Sequence, residues 1–202
     1  MNKSEPSALP LLPARLTSLP FPCYAFVPGM HPHPISDPRG HSWGSSDDSL
    51  DPADAAVCHN VYCWAVDLFN HGYVWEAHEA WESLWIAAGR VGPAATFLKG
   101  LIKLAAAGVK ARQGKLVGVR RHARRAAELF QQAADDRSFS SELQFGLSCQ
   151  LMRQNSMNVL DAAASTIDPT PQPVLRVLPV VLHPIFPGDA AESPPPTAND
   201  QA

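Results

Sequence analysis

The sequence predicts an all-α fold, a compact bundle of about five helices built from two helical hairpins, with a proline-rich extended arm before it and a proline-rich tail after it. Three observations carry this expectation. Between residues 51 and 165 apolar side chains recur at intervals of three and four; glycines at 72 and 114 interrupt that rhythm at matching places; and 18 of the 20 prolines lie in 6–38 and 169–196, outside it. A helix buries one stripe at that spacing, and glycine and proline end it because one permits φ > 0 and the other removes an N–H donor.

Taken in order, residues 1–19 show neither helical nor strand periodicity and are read as a disordered start. Residues 20–50 differ, because a free linker seldom carries Phe21, Tyr24, Phe26 and Trp43 together with His31, His33 and His41. This arm is expected to pack on the bundle, with Pro32 and Pro34 holding an extended backbone and a loop at 44–48. Asp51, Pro52 and Asp54 supply an N-cap, a first-turn proline and a first-turn acid, which predicts a first helix over 52–70. Gly72 stops it, and a second helix follows over 73–88. Gly89 and Gly92 break that one. Pro93 opens a third helix whose Phe97, Leu98, Leu101, Ile102 and Leu104 form a broad apolar face, while the small run 105–108 permits close approach by a neighbour. Gly114 precedes a fourth helix over 115–134, and a fifth is expected over 141–164 with Gly146 inside it. Pro169 ends helix, leaving 166–202 as a tail.

The stops at Gly72 and Gly114 mark two helical hairpins of similar pattern. Such hairpins resemble tetratricopeptide units, although that repeat has a period of roughly 34 residues and two units fall short of a solenoid. In this register His78, Glu79 and Glu82 correspond to Arg120, Arg121 and Arg124, so one helix is acidic where its counterpart is basic.

Composition narrows the function classes. A net charge of −3 argues against nucleic-acid binding, and the basic run from Lys110 to Arg125 lacks the interleaved aromatics that stacking on bases needs. No apolar run approaches the roughly 20 residues that span a bilayer, so no membrane contact and a cytoplasmic location are expected. Cys23, Cys58, Cys63 and Cys149 form no CxxC pair, which predicts reduced, mostly buried thiols in place of a disulfide framework.

The densest chemistry lies in residues 73–85, where three carboxylates, one imidazole and three indoles fall within thirteen residues. On a helix His78, Glu82 and Trp85 share a stripe above Trp75, with Glu76 and Glu79 beside it, and the large aromatics of that stripe are expected to drive it into the core. A His and a Glu one turn apart can reach one cation, and Glu79 can serve as a third ligand or an outer-shell acceptor. Further ligands are sought in Glu76 or in His31, His33 and His41 of the arm. The string His78-Glu79-x-x-Glu82 only partly follows the HExxH pattern of zinc proteases, since a carboxylate replaces the second histidine.

Phe69-Asn-x-Gly72-x-x-x-Glu76-Ala-His78-Glu79-x-Trp81-Glu82-x-x-Trp85, followed by Phe97-Leu-x-Gly100-Leu-Ile-x-Leu-Ala-Ala-Ala107, resembles domain of unknown function family 309 over about residues 55–130. Phe26-Val-Pro-Gly29 and Pro32-His33-Pro34 resemble the segment that precedes it in longer members. The resemblance implies a small all-α fold, no established reaction, and a His-x-x-x-Glu-x-x-Trp motif suggested to bind metal, here His78, Glu82 and Trp85. Lys99 and Lys103 stand where that pattern leads one to expect glutamine.

Three readings follow from different classes. One is a metal-binding protein, with zinc or manganese on His78 and Glu82; as a metal-dependent hydrolase it would use Glu79 as the base. The second is an interaction module that holds a small ligand or a protein segment. The third makes the cluster a structural network, with Glu79 and Glu82 sealed by Lys103, Arg120, Arg121 or Arg124.

Overall fold

The computed structural model describes residues 9–45 and 50–187. Parts of the expected disordered start, of the 44–48 loop and of the tail therefore lie outside the described residues.

Six helices form among the described residues: α1 (Ala55–Asn70), α2 (Val74–Ala87), α3 (Gly92–Arg112), α4 (Leu116–Ala134), α5 (Ser141–Phe145) and α6 (Cys149–Asp161). α1 begins later than expected because Asp54, not Asp51, is its cap. The Asp54 carboxylate accepts from Val57 N at 3.0 Å, whereas Asp51 closes a turn of its own by accepting from Ala53 N at 2.9 Å. The expected fifth helix is two. Gly146 takes φ 65°, which ends α5, and Ser148 caps α6 by accepting from Leu151 N.

α3 is the centre of the bundle, packed between α2 and α4, with α1 on α2 and α6 on α4. Its glycines set those distances. A Cβ on Gly100 would stand 2.7 Å from the Phe130 ring of α4, and one on Gly108 would stand 2.8 Å from Val74 of α2. Phe97 stacks on Phe145 at 4.9 Å, and Trp81, Leu101, Leu104 and Phe130 complete an interior with no water-exposed surface to speak of. The two hairpins are thus α1/α2 and α3/α4, turning at Gly72 (φ 94°) and Gly114 (φ 73°).

The segments outside the helices are not loose where they are described. Extended, proline-interrupted chain has no ladder to satisfy its N–H and C=O groups, so side chains must do it. Four buried polar residues of the helices perform that task. Asp67 accepts from Leu16 N and Thr17 N at 2.8 and 2.9 Å, Glu76 accepts from Phe26 N at 2.8 Å, and Asn70 both donates to Leu182 O and accepts from Leu182 N. Arg112 donates to Thr170 O and Gln172 O, each at 3.0 Å. The arm buries Ala25, Phe26 and Val27, the tail buries Val177, Leu178, Val180 and Leu182, and the two meet where Ala25 N donates to Pro173 O. Residues 15–17 are therefore attached where a disordered start was expected, and residues 170–182 form a strap where a tail was expected. Trp43, expected to pack, is 54% exposed. Cys63 and Cys149 are buried, but Cys58 is half-buried and Cys23 exposed.

Candidate functional site

α2 leaves the Gly72 turn without a side-chain cap, and Glu76 in its first turn faces the positive end of the helix dipole. Its core side is Val74, Ala77, Ala80, Trp81 and Leu84, all buried. That is a different stripe from the one the large aromatics implied. The small residues Ala77 and Ala80 let α2 sit close to its neighbours, and Trp81 alone of the motif indoles is fully buried, so His78 and Glu82 come to the flank of the helix.

There His78, Glu79 and Glu82 converge. His78 Nδ1 lies 3.1 Å from Glu79 Oε1 and 4.0 Å from Glu82 Oε2, and one ligand atom from each of the three falls within 4.8 Å of the others. The side chains are 23%, 40% and 42% exposed, so the group opens to solvent. Among the described residues no lysine or arginine nitrogen comes within 4.0 Å of Glu79 or Glu82. Lys99 instead stands over the Trp85 ring, 5.1 Å from its centroid, with Arg90 at 5.7 Å. The sealed network of arginines is thus absent from the contacts of the described residues.

Residues 63–122, from the middle of α1 to the middle of α4, match the family model described as a domain of unknown function (DUF309). The match spans 60 of the 202 residues and is a similarity over that segment. No curated protein and no solved structure matches the chain.

The remaining candidates lie on the other side of α2, and among the described residues none joins the His78 group. Glu76 is 5% exposed and its Oε1 accepts from Phe26 N at 2.8 Å and from His41 Nε2 at 3.1 Å. His41 Nδ1 in turn faces Ser42 Oγ at 2.9 Å. With Nε2 protonated both ring atoms are satisfied, one as donor and one as acceptor. His31 Nδ1 accepts from Val27 N and its ring stacks on Tyr24 at 5.2 Å. His33 Nδ1 accepts from Ile35 N and Ser36 N, and its ring meets Trp75 edge-on at 5.8 Å. The arm histidines are folding contacts of the arm.

His122 of α4 went unnoticed in the sequence, where it reads as one polar residue in a basic run. It lines a groove of about 520 Å³ with Lys103, Arg121, Arg124, Arg125 and Glu128. Burial first, then the charges of Lys103, Arg121, Lys110 and His78, push its imidazole down to about 4. The sign is fixed by linkage. An unfolded histidine takes its proton near pH 6.5 while the folded one stays neutral, so stability is full above that value and falls as pH drops from about 6.5 to about 4. Allowing for solvent screening of a half-buried ring, His122 accounts for roughly 1–2 kcal/mol of the loss. Urea titrations at pH 7 and pH 4.5 should show a smaller acid loss in His122→Gln than in the parent; equal losses would remove His122 as the source.

Proposed function

We propose that this protein binds a divalent metal ion, zinc or manganese, through His78, Glu79 and Glu82. The convergence of one imidazole and two carboxylates within 4.8 Å, half-exposed and with no lysine or arginine of the described residues within 4.0 Å of the carboxylates, is the observation that supports this reading. The donor set suits the ion: two carboxylates neutralise a divalent charge, neutral imidazole is a ligand for both metals, and three protein donors leave positions open for water or substrate. His78 and Glu82 are the ligands held one turn apart on α2. Glu79, hydrogen-bonded to His78, is the third donor.

The finer reading is a metal-dependent hydrolase, in which the ion would supply an activated water. In that reading Glu79 would stand off the ion as the base, with His78 and Glu82 as the protein ligands. The groove of Lys103, Arg121 and Arg124 on the next helices favours an anionic substrate for such an enzyme. The interaction-module reading has less support, because the arm and the strap already occupy the outer faces of α1 and α2 through Asp67, Asn70 and Glu76.

The test is melting with chelator and with added zinc or manganese. At a hundredfold excess over Kd the bound ion is expected to raise Tm by roughly 5–10 °C. His78→Ala and Glu82→Ala should each abolish the rise, and the double variant should lose no more than either single one, because the ligands act as a unit. The rise should also shrink on acidification, since only unprotonated ligands bind. No metal-dependent shift in the parent protein overturns the proposal.

A further inference from the structure

One face of the α3/α4 hairpin carries more positive charge than the residues around it balance. Two neighbouring grooves lie along it, of about 520 and 540 Å³, and Arg121 lines both. Lys103, Arg124 and Arg125 complete the cationic lining of the first, Lys110 and Lys115 that of the second. Glu128 is the one carboxylate in either lining, and it is already engaged, with Arg125 Nη1 at 2.8 Å from its Oε2. Among the described residues no carboxylate oxygen comes within 4.0 Å of a nitrogen of Lys103, Lys110, Lys115, Arg121 or Arg124. Packing brings these cations together. A Cβ on Gly118 would stand 2.8 Å from Lys110 Cγ, so the bare α-carbon lets the Lys110 stem lie against α4. The crowding shows in the groups themselves. Burial first, then the charges of Lys115 and Arg121, lower the Lys110 ammonium, and Lys103, Arg121 and Lys110 add to burial in lowering His122. Like charges held this way repel until a counter-charge arrives, and the described residues supply none.

We propose that the two grooves together bind a linear oligophosphate, a chain of phosphate groups without a base, laid across Arg121. The chemistry of the lining selects that class. A guanidinium presents five N–H donors in a planar fork and an ammonium three, and phosphate groups, with several free oxygens each, use such donors more fully than single carboxylates do. Arg121 and Arg125 stand one turn apart, about 5 Å along α4, so successive anionic groups can be met in turn. One phosphate dianion would offset only two of the five unpaired cations, whereas a chain of phosphates offsets most of them. No Phe, Tyr or Trp lines either groove, so a nucleobase has no ring to stack on, which favours a bare phosphate chain over a nucleic-acid strand. Lys115, Arg121, Arg124 and Arg125 are exposed, so the ligand meets them from solvent without any part of the fold opening.

Binding here needs no ion at His78, so the titrations use the full chain stripped of metal, and their failure leaves the metal reading as it stands. Sodium tripolyphosphate is titrated by calorimetry at about 0.15 M salt, where loose attraction to exposed charge is screened. Pyrophosphate, inorganic phosphate, citrate and an oligothymidylate are titrated beside it. Saturable binding of tripolyphosphate is expected, with pyrophosphate weaker and phosphate and citrate weaker still. Arg121→Gln, which removes the cation common to both grooves, should weaken tripolyphosphate roughly tenfold, and Lys103→Gln and Lys110→Gln roughly three- to tenfold each. Glutamine keeps helix propensity at these positions, and unchanged circular dichroism spectra confirm that the variants fold. Arg137→Gln removes the same charge from an exposed turn outside both grooves and should leave the affinity unchanged. Absence of saturable tripolyphosphate binding by the parent overturns the proposal. So does an equal loss in Arg137→Gln and Arg121→Gln, which would reduce the effect to diffuse charge, or citrate or single phosphate binding as tightly as tripolyphosphate. Tighter binding of an oligothymidylate of equal charge would make the face a nucleic-acid surface instead.

Discussion

Gly72→Ala is expected to lower the unfolding free energy by about 2–4 kcal/mol, far beyond what one methyl group at a surface turn would do. Two terms add. Gly72 has φ 94°, a region that costs an L-residue energy, and a Cβ there would stand 2.9 Å from Leu175 O and 3.0 Å from Leu175 C. Both obstacles are backbone, so no side chain can swing away. The strap itself must lift, and with it Val177 and Leu178, which are buried just beyond. Gly114 is the control. It makes the equivalent turn at φ 73°, but its Cβ would meet only Pro169 Cβ at 3.7 Å, an ordinary contact. Gly114→Ala should therefore cost only the backbone term, about 1 kcal/mol. In thermal melts followed by circular dichroism these costs correspond to drops of roughly 5–15 °C and 2–4 °C. Equal drops for the two variants would remove the strap contact as a source of stability.

The helices were legible because each rests on local chemistry. Gly72 and Gly114 need positive φ, Pro93 sits in the first turn of α3, and the spacing of Phe97, Leu101 and Leu104 marks a buried face; each of these is a property of a few adjacent residues. Gly146 shows where that stops. It takes φ 65° inside an otherwise periodic stretch, and Ile185 donates to its carbonyl at 2.9 Å from far along the chain, a contact that the local pattern does not reveal. The face of α2 was misjudged for a related reason. Trp75 and Trp85 outweigh Ala77 and Ala80 in any tally of hydrophobicity, yet close helix packing is made by the small residues, and the indoles came to rest half-buried at the margin.

The site divides in the same way. His78, Glu79 and Glu82 were visible as a group because a helix fixes their mutual distances, so one element's geometry suffices. Glu76 was not separable from them in sequence. Its role follows from the arm, whose Phe26 N and His41 reach it across fifty and thirty-five residues. Asp67, Asn70 and Arg112 were invisible as anchors, since each reads as an ordinary polar residue near the end of an amphipathic helix. Only the docking of non-periodic segments gives them partners, and the absence of periodicity is what made those segments look unattached.

Asp67→Ala carries the other large expected effect, and it decides whether the start of the chain is part of the fold. The carboxylate is 2% exposed and accepts three hydrogen bonds, from Leu16 N, Thr17 N and Thr17 Oγ1 at 2.8 to 2.9 Å, with Arg15 Nε at 3.8 Å. Arg15 also lies over the Phe21 ring at 3.9 Å, which ties the clamp to the arm that follows. Bonds to a charged acceptor are each stronger than neutral ones, but docking the segment costs the entropy of ordering it, so the net loss on removing the carboxylate is about 2–4 kcal/mol. Asp67→Asn separates acceptor chemistry from shape. Its oxygen can serve one donor, while its NH₂ must face another N–H, so most of the loss should remain. A truncation that begins at residue 15 keeps the clamp and should melt with the full chain, whereas one that begins at residue 20 should fall to the level of Asp67→Ala. Combined with Asp67→Ala, that longer truncation should cost nothing further, because both changes remove the same bonds. Limited proteolysis gives the structural readout, with new cleavage near residues 15–17 in Asp67→Ala and not in the parent. Unchanged melting of Asp67→Ala, or full stability of the chain that begins at residue 20, would show the clamp to be dispensable.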